Sequence, residues 1–216
     1  MMSYMGEICT STSREHLRGF RRELKQYTIE NSIVGSQFDP QVNHGPQVSA
    51  AQKSRILGYL ETGKREGAQL VLEMISLPRM PRPIIFNDTN RDMTPMREEV
   101  FGPFVVIQSF KDQKDAVDKA NDTEYGLGAA LFTENITRAR NVAAIIQAGM
   151  VWINGSQDSH FAIPFGGYKQ RGIGRELSEY ALSAYTQVKA VHGIFSHDLG
   201  VATGTDTILV NLGTWL

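Results

Sequence analysis

Residues 104–153, FVVIQSFKDQKDAVDKANDTEYGLGAALFTENITRARNVAAIIQAGMVWI, alternate between strand-like and helix-like hydrophobic patterns. The apolar runs 104–110, 126–132 and 150–153 have the pattern of buried strands, and the segments between them carry apolar residues at helical spacing. Strands joined by short helical connections form a parallel or mixed sheet that is covered by helices. This stretch therefore predicts an α/β fold.

Capping residues and prolines mark further element boundaries. Asp112 and Thr133 are positioned to cap the two helices of this stretch. Residues 68–74 have the pattern of a strand. The prolines that follow, Pro78, Pro81 and Pro83, are expected to interrupt regular structure. The remaining predicted elements, in chain order, are helical spacing over 14–27, a helix over 49–64, a helix over 175–182 and a strand over 184–191.

The overall composition argues against several classes of protein. The 216 residues carry a formal net charge of −1, with 41% hydrophobic and 21% charged residues, as is typical of a soluble globular protein. This charge balance predicts no nucleic-acid partner, and no apolar run reaches the roughly 20 residues of a membrane span. The scattered histidines and single cysteine predict no metal site. The first six residues lack a secretory pattern, so we expect a cytoplasmic protein.

Cys9 is the only thiol of the chain. A lone cysteine is most often a small buried hydrophobe. The alternative is a reactive thiol, because small hydroxyl residues follow it and Arg14 lies five positions further on. If this segment opened a turn into a helix, the backbone N–H groups there would favour the thiolate. The residues around Cys9 leave both interpretations open.

Two further stretches contain residues suited to binding or chemistry. Residues 98–103, EEVFGP, place two carboxylates and an aromatic ring directly before a predicted strand. Such a segment is either a solvated acidic turn or a site where a carboxylate holds ribose hydroxyls and the ring packs on a flat cofactor. Residues 164–177, PFGGYKQRGIGREL, match neither a P-loop nor a dinucleotide fingerprint. Their glycines suit backbone that passes tightly through a protein interior.

Together these stretches resemble the C-terminal half of the aldehyde dehydrogenase superfamily. The resemblance rests on six segments in the family's order and at roughly its spacing: residues 6–14, 45–49, 98–103, 151–154, 164–177 and 184–189. It implies an open, twisted, mostly parallel sheet flanked by helices, followed by a C-terminal strand that bridges subunits. It also implies oxidation of an aldehyde to a carboxylic acid with NAD or NADP, in a homo-oligomer.

The resemblance assigns two catalytic residues. Cys9 matches the nucleophile, whose thiolate attacks the aldehyde to form a thiohemiacetal and, after hydride transfer, a thioester. The backbone N–H of Cys9 matches one donor of the oxyanion hole. Glu176 matches a carboxylate in a buried proton-relay region.

The resemblance also assigns binding residues. Glu99 matches the carboxylate that holds the nicotinamide ribose, and Phe101 matches the aromatic residue near the nicotinamide. Phe165 matches a position that lines the aldehyde tunnel, and Asn154 is the second position predicted to bind substrate. The sequence therefore predicts cofactor contacts at Glu99 and Phe101, and substrate contacts at Asn154 and Phe165.

The chain also departs from the family pattern. In the family the dinucleotide-binding domain, the Asn of the oxyanion hole and the general-base Glu precede the cysteine, whereas eight residues precede Cys9. A strand expected after Arg14 is predicted to be lost, because charged residues follow directly. Residues 193–209 resemble an insertion. We therefore expect a partial or mis-assembled gene product in which this insertion derives from a retained intron.

The expected organisation is a partial catalytic domain over 1–183, an oligomerisation strand over 184–192 and an atypical tail over 193–216. We expect the isolated chain to lack efficient dehydrogenase turnover, because the cofactor domain and the general base lie outside it. The alternative is a non-catalytic fragment that associates with full-length aldehyde dehydrogenase subunits. A third interpretation, a redox-sensing thiol, is disfavoured because no resolving cysteine exists.

Overall fold

Residues 3–17, 21–73 and 83–193 are the part of the chain that the computed structural model describes. The chain divides into two units, residues 1–185 and 186–216. Of the second unit only residues 186–193 are described, and they form no strand within this chain, in contrast to the strand predicted over 184–191. The predicted insertion and tail, from residue 194 onward, lie outside the described residues.

Strands and helices alternate along the described part of the first unit. The strands are β1 (Arg14–Leu17), β2 (Gln69–Glu73), β3 (Ile84–Asn87), β4 (Phe104–Ser109), β5 (Gly128–Leu131) and β6 (Met150–Ile153). The helices are α1 (Arg21–Asn31), α2 (Ala50–Arg65), α3 (Thr94–Arg97), α4 (Gln113–Asn121) and α5 (Ile136–Ile145). Short 3-10 helices span Ser3–Gly6 and Glu179–Ala184.

A four-stranded sheet in the order β1–β4–β3–β2 forms the centre of this unit. β1 and β3 run parallel to β4, and β2 pairs antiparallel with β3. Both faces of the central strands are buried, so their sequences are continuous apolar runs instead of alternating ones. Phe86 packs with α2 and α3 on one face, whereas Ile85 packs with Leu24 of α1 on the other. The prediction of a mostly parallel sheet flanked by helices is confirmed.

β5 and β6 form a separate two-stranded parallel sheet. The sequence pattern predicts a single sheet for β4, β5 and β6, and this detail is wrong for the described strands. Because β1 and β3 already pair with the two edges of β4, neither edge is left for β5.

The strand predicted to be lost after Arg14 is present as β1. The four residues of β1 pair in parallel with β4, beginning with Arg14 opposite Val106. Ser13 O accepts a hydrogen bond of 3.0 Å from Val106 N directly before the pairing begins. Charged side chains are tolerated because these ladder bonds are made by the backbone, and because β1 lies at a sheet edge where its residues are half-buried.

Two other element predictions need correction. β3 was not predicted, because Pro83 directly precedes it; however, a proline at the start of a strand removes no hydrogen bond that the strand interior needs. The predicted helix over 175–182 is replaced by the 3-10 helix at Glu179–Ala184. Leu177 and Ser178 have φ values of 58° and 55°, which an α-helix excludes.

Helix capping follows the sequence closely. Ser49 caps α2 by accepting a hydrogen bond of 3.1 Å from Gln52 N, and Asp112 caps α4 as predicted. Asn135, two residues after the predicted cap Thr133, caps α5. Side-chain oxygens at these positions satisfy backbone N–H groups that the first turn of a helix leaves without a partner.

His16 of β1 is a source of acid sensitivity. Burial, together with the positive charges of Arg14 and Lys119, lowers the pKa of His16 to about 4, against a smaller opposing effect of Asp115. Its Nδ1 atom is buried and has no hydrogen-bond partner among the described residues. The folded chain therefore holds His16 in its neutral form.

We predict that the fold loses stability as the pH falls below neutrality. Because the folded-state pKa lies below the value near 6.5 of an exposed histidine, the unfolded chain binds the proton first. The contribution of His16 is fully present above about pH 6.5 and is lost between about pH 6.5 and 4, on the order of 3 kcal/mol at most. Urea unfolding across this range measures the loss, and His16→Gln should flatten it.

His160→Gln is the matched control, because His160 is exposed. This variant should show the same pH dependence as the wild type. If wild type and His16→Gln lost stability equally on acidification, the assignment of the effect to His16 would be wrong.

Candidate active site

Parallel pairing places the Cys9 segment beside the Glu99 segment. The turn that holds Cys9 precedes β1, and residues 99–103 precede β4. Because β1 and β4 are parallel and adjacent, the segments leading into them meet at the same edge of the sheet. The sheet topology therefore brings together two stretches that are ninety residues apart in the sequence (99 minus 9).

Two glycines allow these segments to touch. Gly6 has a φ of +71°, and a Cβ atom built on it would lie 2.1 Å from the carbonyl oxygen of Gly102. Only a residue without a side chain fits there, because the backbone conformation and the close approach both exclude a Cβ. Gln47 Nε2 further ties the Cys9 segment to the fold by donating a hydrogen bond of 3.2 Å to Met5 O.

Cys9 lies in a tight turn closed by a hydrogen bond of 2.9 Å from Ser11 N to Ile8 O. Its thiol is exposed, so the interpretation of Cys9 as a buried hydrophobe is wrong. The turn continues into β1 and not into a helix, which removes the helix N-terminus that the sequence suggested as a stabiliser of the thiolate. Exposure of a lone thiol at a sheet edge leaves it accessible to an electrophile.

Helix α2 holds the backbone of the Glu99 segment. Gln52 Nε2 donates to Phe101 O at 2.5 Å, and Arg55 donates to Glu99 O at 3.0 Å. Sequence reasoning missed both residues. The only sequence signal for this role is that the two residues lie three positions apart, and therefore on one face of α2. Polar residues on a solvent-exposed helix face have the same spacing, so the sequence does not distinguish the two cases.

Phe101 stands at the rim of an open cleft. It adopts a φ of 58°, and the residue is 36% exposed. The cleft, of about 450 Å³, is lined by Met5, Glu7, Pro46, Val48 and Phe101. Its lining is apolar except for the Glu7 carboxylate. Burial raises the pKa of Glu7, and the hydrogen bond that Glu7 accepts from Val48 N opposes this effect.

Glu99 is the half-buried carboxylate of the pair in this segment. Its Oε1 atom accepts two hydrogen bonds from Arg171, from Nη1 and Nη2, each 3.3 Å long. Glu98 is instead exposed and accepts a hydrogen bond of 2.6 Å from the hydroxyl of Tyr59. The structure therefore separates the roles of the two adjacent carboxylates, and brings the Gly-rich stretch, which contains Arg171, to Glu99.

The Gly-rich stretch holds two predicted site residues side by side. Phe165 and Glu176 form an isolated antiparallel bridge, with backbone hydrogen bonds of 2.7 and 2.8 Å. The stretch passes tightly over β6, because a Cβ at Gly149 would lie 2.0 Å from Gly166 O. The Glu176 side chain is exposed in this chain, in contrast to the buried environment that the resemblance implies.

Asn154 occupies a structural position at the end of the β5–β6 sheet. Its Oδ1 atom accepts a hydrogen bond of 2.8 Å from Thr133 N, and its Nδ2 atom donates to Thr133 O at 3.0 Å. Both ends of the amide are thus used to join the segments that follow β5 and β6. In the described part of the chain, Asn154 makes no hydrogen bond or ion pair with Cys9 or Glu99.

A larger cleft, of about 690 Å³, lies elsewhere and is lined by none of the predicted site residues. Eight of its nine lining residues are polar or charged, among them Arg91, Gln108 and Asp122. Among residues 3–17, 21–73 and 83–193, no group of three or more His, Cys, Asp or Glu side chains could hold a metal ion. None of the helices in these ranges is long and apolar enough to cross a membrane.

These observations define an α/β protein in which an exposed thiol turn, a carboxylate and an aromatic ring share one edge of a mostly parallel sheet. The chain belongs to the aldehyde dehydrogenase family, whose sequence model matches residues 1–191. The prediction of family membership from the six segments is therefore confirmed.

Relatives and solved structures agree with this assignment. An aldehyde dehydrogenase-like protein of Schizosaccharomyces pombe is 43% identical over 208 residues, which cover 92% of this chain and 42% of the relative. The human mitochondrial aldehyde dehydrogenase is 40% identical over 86% of this chain and 37% of its own length. The chain thus spans about two fifths of the curated relatives that it matches.

Two crystal structures show the same fold. The NAD-dependent aldehyde dehydrogenase of Sinorhizobium meliloti superposes with a TM-score of 0.84 and 33% identity, over 89% of this chain and 40% of that one. The NAD+ complex of the Bacillus cereus enzyme gives a TM-score of 0.82 and 38% identity, over 88% and 40% of the two chains. The fold expected from the resemblance, a mostly parallel sheet flanked by helices, is therefore shared with these structures.

We predict that Cys9 reacts with a maleimide in the folded chain, with one equivalent bound and no denaturant needed. The physical reason is that the thiol is exposed and that the chain has no other cysteine. Intact-mass spectrometry measures the stoichiometry. Labelling that required urea would show that Cys9 is buried, and Cys9→Ser should remove the signal completely.

Proposed function

We propose that this chain supplies the thiol-bearing catalytic part of an NAD(P)+-dependent aldehyde dehydrogenase, which oxidises an aldehyde to a carboxylic acid. The observation that carries the proposal is the exposed Cys9 on a turn whose segment packs directly on the backbone beside Glu99 and Phe101. Family membership supports it. Because the chain spans only about 40% of its relatives, such as 42% of the yeast protein, the activity is proposed for the chain together with the remaining part.

Cys9 acts as the nucleophile in the proposed reaction. Its thiolate attacks the carbonyl carbon, so that a C–S bond forms and the π electrons of the carbonyl move to oxygen. The backbone N–H of Cys9 donates a hydrogen bond to this oxyanion. NAD(P)+, held by Glu99 and Phe101, would supply the acceptor for the hydride on this carbon, and Cys9 would then carry the acyl group as a thioester. Water then adds to the thioester and gives its two protons to bases or solvent, the C–S bond breaks, and the carboxylate leaves with regeneration of the thiolate.

The cleft beside Phe101 has the chemistry that a nicotinamide ring needs. Four of its five lining residues, all except Glu7, are apolar, and Phe101 offers an exposed aromatic surface at its rim. A flat ring would pack on such a surface. Glu99, held two residues before Phe101, offers a carboxylate to ribose hydroxyls. We therefore keep Glu99 and Phe101 as the cofactor-binding residues of the proposal.

The remaining predicted residues take more limited roles. Phe165 and Glu176 are neighbours through their backbone bridge, which supports a joint site for substrate and proton transfer on the Gly-rich stretch. The exposed Glu176 carboxylate would need the rest of the enzyme to enclose it before it could serve as a relay. Binding of substrate by Asn154 would require release of one of its hydrogen bonds to Thr133. A cytoplasmic location stays a prediction.

We predict that residues 1–216 alone form no measurable NADH from an aldehyde and NAD+. Co-expression with the part of the human mitochondrial relative that this chain does not match should restore NADH formation, because that part would supply the dinucleotide fold and the base. Cys9→Ala should abolish the restored activity, since this chain has no other thiol. Absorbance of NADH measures the rate.

Ser54→Ala serves as the matched control, because Ser54 lies on an exposed position of α2. This variant should keep the restored activity. Robust turnover by residues 1–216 alone, lost in Cys9→Ala, would overturn the expectation of an inactive chain while supporting the nucleophile. NADH formation that survives Cys9→Ala would overturn the proposed role of Cys9.

A second candidate function is association with full-length aldehyde dehydrogenase subunits. It is favoured by the apolar surface around β5 and β6, where 73% of Phe132 is exposed and Ile136 and Ile153 are also exposed. β5 and β6 pair only with each other among the described strands. A two-stranded parallel sheet with open edges and apolar neighbours favours addition of a further strand or a covering surface.

We predict that a purified full-length relative co-purifies with this chain, and that Phe132→Glu weakens the association by placing a charge in the apolar surface. Phe38→Glu is the control, because Phe38 is 87% exposed and lies in the loop between α1 and α2. Analytical ultracentrifugation of the mixture measures complex formation. A chain that remains a soluble monomer in the presence of the relative would contradict this candidate function.

A further inference from the structure

Arg171 reaches the Glu99 carboxylate from a distant part of the chain. Both terminal nitrogens of its guanidinium lie 3.3 Å from Glu99 Oε1, across 72 residues of sequence. The side chains of Arg171 and Glu99 are only 19% and 33% exposed. The contact is thus a charge-assisted fork in which two guanidinium N–H groups share one carboxylate oxygen, and it is partly shielded from solvent.

The guanidinium of Arg171 is itself held in place. Its Cζ atom lies 4.5 Å from the centroid of the Tyr125 ring, in a cation–π contact. Its Nε atom is buried and has no hydrogen-bond partner among the described residues. The Arg171 side chain packs closely on the backbone of Gly167, because a Cβ atom on residue 167 would lie 2.7 Å from Arg171 Cβ. A buried N–H without a partner is a cost that the ring contact and the fork to Glu99 offset.

The backbone that carries Arg171 is fixed to the segment between α4 and β5. Tyr168 N donates to Gly126 O at 2.8 Å, and Gln170 N donates to Glu124 O at 3.1 Å. Lys169 Nζ donates to Thr123 O at 2.9 Å. These three bonds precede Arg171 directly, so its side chain extends towards Glu99 from backbone that is hydrogen-bonded to residues 123–126.

We propose that Arg171 is a positioning residue that orients the Glu99 carboxylate for the ribose hydroxyls of the cofactor. This inference rests on the proposed function. Arg171 occupies Oε1, whereas no hydrogen bond reaches Oε2 among the described residues, so Oε2 is the atom that accepts from ribose. α2 fixes the Glu99 backbone through Arg55, and Arg171 fixes the side chain. A glutamate ordered in advance loses less conformational entropy when it binds its ligand.

Nicotinamide riboside is the probe that distinguishes orientation of Glu99 by Arg171 from a direct effect of the Arg171 charge on binding. It carries the nicotinamide ring and the ribose, and it is a cation. On charge alone, Arg171→Gln would strengthen binding, because it removes a positive charge near the probe. Positioning predicts the opposite, a weakening of about tenfold, because Glu99 loses its orientation. The full 216-residue chain is titrated with nicotinamide riboside, and the changes in the amide NMR shifts of Glu99, Phe101 and Gly102 measure the affinity.

Two further variants complete the test. Arg171→Lys keeps the charge but loses the fork, and should show an intermediate loss. Glu99→Gln should weaken binding strongly, and adding Arg171→Gln to it should cause no further loss, because the two residues act as a pair. Arg175→Gln is the matched control: Arg175 lies on the same stretch, donates to Gly174 O and contacts Tyr168, and this variant should bind as the wild type does.

Each outcome supports or overturns the inference. Binding by Arg171→Gln that equals or exceeds that of the wild type overturns it and leaves the cofactor site standing. No response of the wild-type amides up to the solubility limit of the probe rejects the cofactor site, and with it the inference. If the amide spectrum shows that Arg171→Gln is unfolded, Arg171→Lys is the deciding variant. Wild-type affinity in Arg171→Lys would then overturn the inference that the two guanidinium N–H groups position Glu99.

Discussion

Parallel pairing between β1 and β4 is the interaction on which the candidate site depends. Its backbone hydrogen bonds place the segments that precede the two strands at one edge of the sheet, with Arg14 opposite Val106. Because the register is set by the ladder, a shift of β1 would move the Cys9 turn away from Glu99 and Phe101. The contact between Gly6 and Gly102 then brings the segments together at a separation that no side chain at residue 6 would permit.

Around this edge, contacts from three directions order one short segment. α2 binds its backbone through Gln52 and Arg55, the Cys9 segment packs on Gly102, and Arg171 binds the Glu99 side chain. Few of these contacts are between apolar groups. Hydrogen bonds and charge therefore specify the direction of the segment, whereas burial of its own Val100 in the apolar cluster behind it contributes stability.

The β5–β6 sheet contrasts with this well-packed region. Its strands pair only with each other in the described part of the chain, and residues such as Phe132 and Ile136 stay exposed. Parallel sheets are normally covered on both faces. The β5–β6 sheet lacks such a cover among the described residues, in a chain that spans 40% of the Sinorhizobium structure.

Local sequence alone was sufficient to predict those helices and strands whose hydrophobic pattern and capping residues are contained within the element itself. α2 and α4 have an apolar face and a capping residue, and β4 and β6 are short apolar runs, so period and caps identified them. The motif resemblance likewise predicts a shared site for Cys9, Glu99 and Phe101; the structure places their segments in contact, and their functional roles stay predictions. These features depend on residues close together in sequence, or on short patterns that can be compared directly.

Other features were decided only by tertiary structure, because they depend on partners far away in the chain. β1 is a strand despite its charged sequence, since β4 provides its hydrogen bonds, and β3 forms after Pro83 because strands lie on both sides of it. Exposure of Cys9 and occupation of the Asn154 amide by Thr133 could not be read from neighbouring residues. The fork from Arg171 to Glu99 spans 72 residues, a distance over which hydrophobic period and capping patterns carry no information.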